Sequence, residues 1–565
     1  MLAGIFNQKY KLLALSSILL LGTLIYSNTF YSSFHFDDAI FITDNFLIRD
    51  ISNLKSLWDI FPNRFIVFFT LVLNYHFNQL NVFGYHLFNL AIHLGAAILV
   101  WWFGVLIFST PAMKGDKLFK NSKRVALFTA LIFLTHPLQT ESVTYIWQRC
   151  TSLVGFFYLF SICLYIKSRL LQLQDHVLSR WGAVYALSLI FAVMSMFTKE
   201  NSITLPAMII LCEFYFFKPV KFSSWKYTIL FLFLLPIVPI LLSVPQPVSS
   251  NTGAYYFLTQ LRVMVTYIRL LFIPLNQNLD YGYPVVSSLI NLPSLISLVF
   301  LAAIIISAIR VFFKYRLVSF GILWFFLTLS PESSFVPLDD VIFEHRLYLP
   351  MVGFGFFLVS FIYYLFENKA LKPMGVMLLI IISCYAMLTY RRNLIWKDDS
   401  TLWNDVILKS PKKARPYNNR GLAYMDRGNI IQAVSDYTRA AAINPRYADA
   451  YNNRGVAYTQ QGNFTQAISD LTQAIEIKPN YIEAYNNIGI TYYQQGNITQ
   501  AFSEFNRAIE VNPNYPKAYY NRGVAYYMIK KYDLAWIDVR KAERLGFVIH
   551  PEFLKELKEA SGRGK

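Results

Sequence analysis

The sequence predicts an all-α protein, a polytopic membrane helix bundle of about eleven spans followed by an α-solenoid. Three observations predict it. Hydrophobic residues make up 55% of the 565-residue chain and charged residues only 15%, whereas an ordinary soluble domain carries roughly 25% charged residues. Apolar runs alternate with short polar loops as far as residue 390. From residue 391 the composition changes and a 34-residue repeat takes over. A mean hydropathy of +0.39 and an aromatic share of 17% exclude a disordered chain, a secreted disulfide scaffold and a purely soluble enzyme. The expected organisation is a membrane domain over 1–390, a connector and partial repeat over 391–416, four repeats over 417–545 and a cap or tail over 546–565.

The apolar runs place spans near 11–28, 84–108, 125–135, 150–166, 181–197, 202–217, 227–243, 292–310, 317–330, 347–366 and 374–390. The first has a basic start at Lys9 and Lys11 but lacks a small-residue cleavage site. It reads as an uncleaved span and not as a signal peptide. Residues 254–275 carry Arg262 and Arg269 and read as an interfacial or re-entrant helix that does not cross.

Lys and Arg set the orientation. They cluster at Lys114, Lys117, Lys120, Lys123 and Arg124, at Lys167, Arg169 and Arg180, and at Lys218, Lys221 and Lys226. Two more clusters follow, at Arg310, Lys314 and Arg316 and at Lys369 and Lys372. Called cytoplasmic, all five agree with one another and with a cytoplasmic N-terminus, and an odd span count leaves everything after 391 extracytoplasmic. The net charge of +18 belongs to this loop bias, so no nucleic-acid partner is expected. Cys150, Cys163, Cys212 and Cys384 lie in or beside apolar runs with no CxxC, which argues against a disulfide framework or a zinc site.

The repeat is explicit. Tyr417-Asn-Asn-Arg-Gly421 returns as Tyr451-Asn-Asn-Arg-Gly455, Tyr485-Asn-Asn-Ile-Gly489 and Tyr519-Tyr-Asn-Arg-Gly523. Ala433, Ala467, Ala501 and Ala535 follow, and Pro445, Pro479 and Pro513 close the first three repeats. Period and pattern match tetratricopeptide repeats, with Tyr in place of Trp at the first position. Small Gly and Ala let two helices approach, aromatics fill the gap, and Pro ends the second helix. Trp403 and Pro411 sit where a preceding partial repeat ends. Asn418, Asn419, Asn452, Asn453, Asn486, Asn487 and Asn521 recur beside the packing positions. A ladder of amides on the concave face can hydrogen-bond the backbone of an extended peptide.

In the membrane half the chemistry-bearing residues cluster. His35-Phe36-Asp37-Asp38-Ala39 follows the first span. Repulsion between adjacent carboxylates raises one pKa toward general-base work. His136-Pro-Leu-Gln-Thr-Glu141 leads on to Gln148-Arg149 at a span boundary, and Lys199-Glu200-Asn201 follows the fifth span. The loop before the tenth runs from Glu332 through Asp339-Asp340 to Glu344-His345-Arg346-Leu-Tyr348-Leu-Pro350. All fall on one outer side in this topology. Ionisable groups at membrane depth are expensive and paired or functional, and basic groups facing a cavity suit a phosphate-bearing lipid. Each cluster alone also reads as a structural ion pair or interfacial snorkelling.

These motifs in this order, Phe36-Asp37-Asp38, His136-Pro-x-x-Thr140-Glu141, Lys199-Glu200, Glu344-x-Arg346-Leu-Tyr348-Leu-Pro350, then Trp396 and the segment to Pro411 running into the repeats, resemble the transmembrane and tetratricopeptide-repeat O-mannosyltransferases. That family belongs to the GT-C superfamily of polyprenyl-phosphate-sugar-dependent glycosyltransferases. The resemblance covers nearly the whole chain. It departs at His345, which stands inside the Glu-x-Arg motif, and at Gln148-Arg149, where a Gly-Arg pair is expected. It implies a GT-C-like bundle and an inverting transfer of a sugar from a polyprenyl-phosphate donor to a hydroxyl of an exported protein. Asp37, with Asp38 close behind, is the implied base. Arg346, Lys199 and Arg149 hold the donor phosphate, and His136, Glu141, Glu344 and His345 contact the sugar or support those that do. The repeats then present an exported polypeptide or envelope protein, or dock a partner. No cofactor is required, and a divalent metal stays open. Short loops and Asn-Gln-rich repeats look bacterial and point to an inner membrane. Two alternatives stand beside this reading, a transferase that modifies glycolipids or glycans, and a non-enzymatic membrane-anchored scaffold for envelope assembly.

Overall fold

A long apolar run in lipid has one low-cost backbone solution, a helix that satisfies its own N–H and C=O groups. The computed structural model of the chain follows that rule. It describes residues 8–174, 178–217, 253–334, 337–366 and 371–562, which are helical and contain no β-strand. They divide into two compact units, Met1–Asp398 and Asp399–Lys565. The expected span at 227–243 and the basic residues Lys218, Lys221, Lys226 and Lys369 lie outside the described residues.

The membrane unit is built from α1 (Gln8–Ile25), α2 (Phe65–Asn78), α3 (Val82–Phe108), α4 (Ser122–Thr135), α5 (Arg149–Gln174) and α6 (Leu178–Met196). It continues through α7 (Leu205–Phe216), α8 (Gly253–Phe272), α9 (Leu292–Val311), α10 (Arg316–Leu329), α11 (Pro350–Leu365) and α12 (Leu371–Ile395). Among the described residues six of these, α1, α3, α5, α6, α9 and α12, are long and apolar enough to cross a membrane, and α10 and α11 are shorter apolar helices. The protein is therefore a multi-pass membrane protein. The sequence expectation of about eleven spans also counted α4 and α7. At 14 and 12 residues these reach only about 20 Å, against a hydrocarbon core of about 30 Å. Helix α2, which the apolar-run reading did not anticipate, is similarly short at 14 residues. The α8 helix forms where an interfacial or re-entrant helix was expected, and it is not among the six.

Burial separates the spans. Most of α3 and α5 is enclosed by protein, whereas α1, α6, α9 and α12 leave most of their apolar surface outward. Leu292, Ile296 and Val299 on α9 are exposed, which is the expected face toward acyl chains. Caps define several starts. Asn81 accepts from Phe83 N ahead of α3, and Asn291 accepts from Ser294 N ahead of α9, where Pro293 occupies the first turn. Helices α10 and α11 touch backbone to backbone: a Cβ at Gly321 or Gly353 would stand 2.4 Å from the other's carbonyl oxygen. In lipid such close packing replaces the missing hydrophobic drive between helices.

In the second unit the helix pairs are Ala414–Asp426 with Ile430–Ile443, Ala448–Gln460 with Phe464–Ile477, Ile482–Gln494 with Ile498–Val511, and Pro516–Met528 with Tyr532–Arg544. Gly421, Gly455 and Gly489 face Tyr437, Leu471 and Phe505 across the first three pairs so closely that a Cβ there would stand 2.5–2.7 Å from those side chains. The turn inside each pair uses left-handed Gly428, Gly462 and Gly496, while the fourth puts Lys530 there at φ +62°. Helix Asp399–Lys409 packs on the first pair and buries Trp403. Helix Pro551–Ala560 closes the far end, with Leu557 buried in a cluster with Trp536 and Val539.

Candidate active site

Phe36 opens the site with an outlier. Its φ of +50° is uncommon for a bulky residue and costs on the order of 1–2 kcal/mol. The turn it makes sends the two following carboxylates into different environments. Asp38 is fully buried. Its Oδ2 accepts from His35 N at 2.9 Å and its Oδ1 accepts from Trp147 N at 2.7 Å. His35 in turn reaches the Trp396 carbonyl through Nε2 at 2.7 Å. Asp38 thereby stitches the first loop to the segment before α5. Burial pushes its carboxyl up to about 7, against the pull of the two backbone N–H groups and His35.

Asp37 remains half-buried. Its N–H donates to Tyr145 Oη at 3.0 Å, and the same hydroxyl hydrogen-bonds the Asp37 carboxylate. The Tyr145 ring stacks on Trp396 with centroids 5.6 Å apart. One aspartate is thus a buried tether and the other a partly open carboxylate, a division invisible in an Asp-Asp dipeptide.

The segment 136–148 is the meeting place of the remaining groups. Thr140–Thr144 forms one buried helical turn. Glu141 Oε1 meets His345 Nδ1 at 2.5 Å, and Glu141 Oε2 accepts from Glu344 N at 3.1 Å. Burial and the neighbouring Glu344 carboxylate raise the Glu141 pKa; burial and the cations Lys199, Arg346 and Arg64 lower that of His345. Both shifts favour a neutral carboxylic acid on a neutral imidazole over an ion pair. Gln139, Thr140 and Ser142 are buried on the same turn with side-chain polar atoms that have no hydrogen-bond partner among the described residues. Such groups call for water or a polar ligand, since leaving one dry costs about 1–3 kcal/mol.

Lys199 lies in extended backbone before α7, beside Glu200 in sequence. It pairs instead with Glu332 at 2.8 Å and donates to Thr151 Oγ1 at 3.1 Å. Glu200 goes to Arg64, whose Nη2 sits 3.0 Å from both carboxylate oxygens. Burial would raise the Glu200 pKa, but Arg64 and Lys199 outweigh it and hold the carboxyl below its usual value. Glu200 keeps about a third of its side-chain surface open. Arg346 donates to the carbonyls of Val341 and Asp340 at 3.1 and 2.7 Å. Lys199, Arg64 and Arg346 all act electrostatically on His345, and Arg64 and Arg346 both feel Glu332. Three cations therefore share one small region with the Glu141–His345 pair.

Several expected site residues have other duties. The Arg149 guanidinium is fully buried and spends its donors on Asn89 Oδ1 at 2.7 Å, Thr70 at 3.4 Å and the Tyr85 carbonyl at 3.2 Å, with the Phe88 ring 4.6 Å away. These bonds tie α5 to α2 and α3, and they are what the structure shows of a residue expected at a donor phosphate. His136 accepts from Leu138 N at 3.3 Å through Nδ1 and bonds the Leu271 carbonyl through Nε2 at 2.9 Å, which ties α4 to α8. Glu344 is saturated by Gln277 Nε2, Asn278 N and Tyr281 Oη at 2.6–2.7 Å and fixes the chain after α8. Arg64, Tyr145, Glu332 and Arg392, which acts electrostatically on Glu141, received no role from sequence reading. A lone Arg64 within the apolar stretch 57–73 was the available signal. Among the described residues no group of three His, Cys, Asp or Glu side chains is arranged to hold a metal ion.

In the repeats the asparagines form a strap. Asn418, Asn452 and Asn486 are buried, and the Oδ1 of each accepts from the Nδ2 of Asn453, Asn487 or Asn521, respectively, in the next repeat at 2.8–3.0 Å. Asn418 also donates to Asn419, and Asn452 to Asn453. Where a row of open amides was expected, these groups bond to one another, because neighbouring repeats bring them within reach.

The TPR repeat family matches residues 421–462, 457–496 and 491–530. Curated relatives match most of the chain. A protein O-mannosyl-transferase of Caenorhabditis elegans, F38B6.6, is 23% identical over 75% of this chain and 62% of its own length. Protein O-mannosyl-transferase TMTC3 of Homo sapiens is 23% identical over 75% of this chain and 50% of its own length, and that of Mus musculus 25% identical over 74% and 50%. Among solved structures the crystal structure of MamA covers 26% of this chain and 85% of that chain at 25% identity, with a TM-score of 0.24, too low to carry a structural argument. The chain spans between half and about three-fifths of these curated relatives' length. It is a multi-pass membrane chain with TPR repeats whose curated homologues, over three-quarters of its length, are protein O-mannosyltransferases of the transmembrane and tetratricopeptide type.

Proposed function

We propose that the protein is an integral-membrane glycosyltransferase that moves a sugar from a polyprenyl-phosphate donor to a hydroxyl of an exported polypeptide, with inversion. The observation that carries the reading is the gathering of Lys199, Arg64 and Arg346 around the neutral Glu141–His345 pair, on a segment that also holds Asp37 through Tyr145. Asp37 accepts the acceptor's proton. Its half-buried carboxylate suits that task better than that of Asp38, which is fully buried with both oxygens engaged by backbone N–H groups. Lys199 and Arg346 hold the donor phosphate and stabilise the charge that grows on it as the glycosidic C–O bond breaks. Arg64 stands beside them in the place sequence reading gave to Arg149. Glu141 keeps its proton and donates it within the site, so the pocket's positive field is not cancelled by a second carboxylate. The repeats raise the local concentration of an acceptor polypeptide or dock a partner protein. The active groups and the repeats face the extracytoplasmic side, with the N-terminus cytoplasmic, in a bacterial inner membrane.

The test is transfer by the purified chain in liposomes holding a radiolabelled polyprenyl-phosphate mannose, offered an unfolded polypeptide or a glycolipid. Label on the polypeptide, with Asp37→Asn lowering the rate by about 10²–10⁴ at unchanged melting temperature, supports the reading. Label on glycolipid alone moves the acceptor to that class. Transfer unaffected by Asp37→Asn and Lys199→Met removes the roles given to those residues, and no transfer by the wild type favours a scaffold.

A further inference from the structure

A polar cavity lies at the far ends of the helices that carry the site. Helix α4 starts at Ser122 beside it and ends at Thr135, next to His136, and α11 runs to it from Pro350, just after Arg346. Fourteen residues of α4 separate the two regions by about 20 Å. The cavity has a volume of about 530 Å³ and is lined by Lys114, Asp116, Lys117, Lys120, Tyr363 and Tyr364. By the distribution of Lys and Arg it opens on the face opposite the candidate active site.

Loop bias alone explains positive charge there. It does not explain the cavity's floor. Asp116 is engaged: its Oδ1 accepts from Leu118 N at 2.8 Å and from the Tyr364 hydroxyl at 3.0 Å. The acid therefore shapes the wall while the lysines leave the space electropositive. Tyr363 is 4% exposed, and its hydroxyl has no hydrogen-bond partner among the described residues. Tyr363 lines this basic cavity near the end of a membrane helix, and a buried hydroxyl without a partner is a donor available to an acceptor. Arg124 adds to the field at Tyr363. Phe119 and Phe366 complete the lining with apolar surface. Donors above apolar surface, at the level where spans end, match one ligand chemistry: a phosphate ester carried on acyl chains.

We infer that this cavity binds the phosphate headgroup of an anionic phospholipid, with Tyr363 donating to a phosphate oxygen and Lys114 and Lys120 supplying charge. The site is independent of the transfer reaction and anchors the 109–121 loop against α11 in the leaflet opposite the candidate active site.

The experiment uses the full chain in nanodiscs of phosphatidylcholine mixed with phosphatidylglycerol and reads retained lipid by native mass spectrometry. The wild type retains phosphatidylglycerol above its bulk fraction. Lys114→Gln and Lys120→Gln lower that retention by roughly fivefold for each lysine. Tyr363→Phe, which changes no charge, lowers it by roughly tenfold with melting temperature preserved. Loss in the lysine variants but not in Tyr363→Phe overturns the inference, because it reduces the site to a diffuse basic surface. Displacement by inorganic phosphate at concentrations where sodium chloride has no effect overturns the lipid as source. Equal retention of the two lipids by the wild type overturns it outright.

Discussion

Both halves of the molecule pair acidic with basic side chains away from water, and they do so differently. In the repeats, Arg420, Arg454 and Arg522 each fork onto an aspartate 16 residues on, Asp436, Asp470 and Asp538, at 2.6–2.8 Å. Each also reaches 16 residues back, to Asn404, Thr438 or Asn506. The clamp joins a helix to its own partner and to the preceding helix. In the third repeat Ile488 replaces the arginine, Glu504 takes the aspartate's place, and the helix pair still forms. In the membrane unit the pairs are singular. Lys199–Glu332 and Glu141–His345 join residues more than 130 positions apart, and Glu332 Oε2 has no partner among the described residues. A pair that recurs and tolerates loss is packing. A pair that occurs once and carries an unsatisfied oxygen is weak evidence for stability, which is what makes it a candidate for the proposed site.

The sharpest way to break that contrast is Lys199→Met. Leaving Glu332 buried without its cation should cost about 3–5 kcal/mol, read as a large drop in melting temperature in detergent. The double variant Lys199→Met, Glu332→Met should regain most of that stability and remain without transfer activity. A double variant that transfers sugar would make the pair structural, like those of the repeats. Arg454→Met should cost less, about 1.5–3 kcal/mol, and only in the unfolding of the repeats.

Asp38 provides a pH test. Its folded pKa, about 7, lies above its unfolded value, so the folded state binds the extra proton. Its contribution to stability is full below the unfolded pKa and is lost as pH rises through about 7, at up to about 1.4 kcal/mol per pH unit. Asp38→Asn should flatten the fall in melting temperature over that window.

Smaller effects sharpen the repeat side. Ile488→Arg with Glu504→Asp should install the missing clamp and raise stability by about 1 kcal/mol. Lys530→Gly should relieve the one left-handed turn in the array that lacks glycine, for a gain of up to about 1 kcal/mol. Both are read by thermal unfolding of the full chain, and no change in either would mean the repeats are less regular in energy than in sequence.

How much of this was legible beforehand differs between the halves for one physical reason. A repeat writes its contacts locally: Gly421 meets Tyr437 and Arg420 meets Asp436 at a fixed offset of 16 residues, so period and pattern alone specify the packing. Apolar runs likewise fixed the membrane class, because only helices satisfy the backbone in lipid. The sequence alone also marked Asp37, Glu141, Lys199 and Arg346 as chemistry-bearing, since ionisable groups there are costly. Only the tertiary structure decided which partners they took. It turned Asp38 inward and left Asp37 partly open, gave Lys199 to Glu332 and Glu200 to Arg64, buried Arg149 among Asn89, Thr70 and Tyr85, and closed the asparagines on one another. Charge and polarity are properties of a residue, but whether a group is a tether, a packing cation or an open base depends on which distant donors the fold brings within about 3 Å, and no local pattern encodes that.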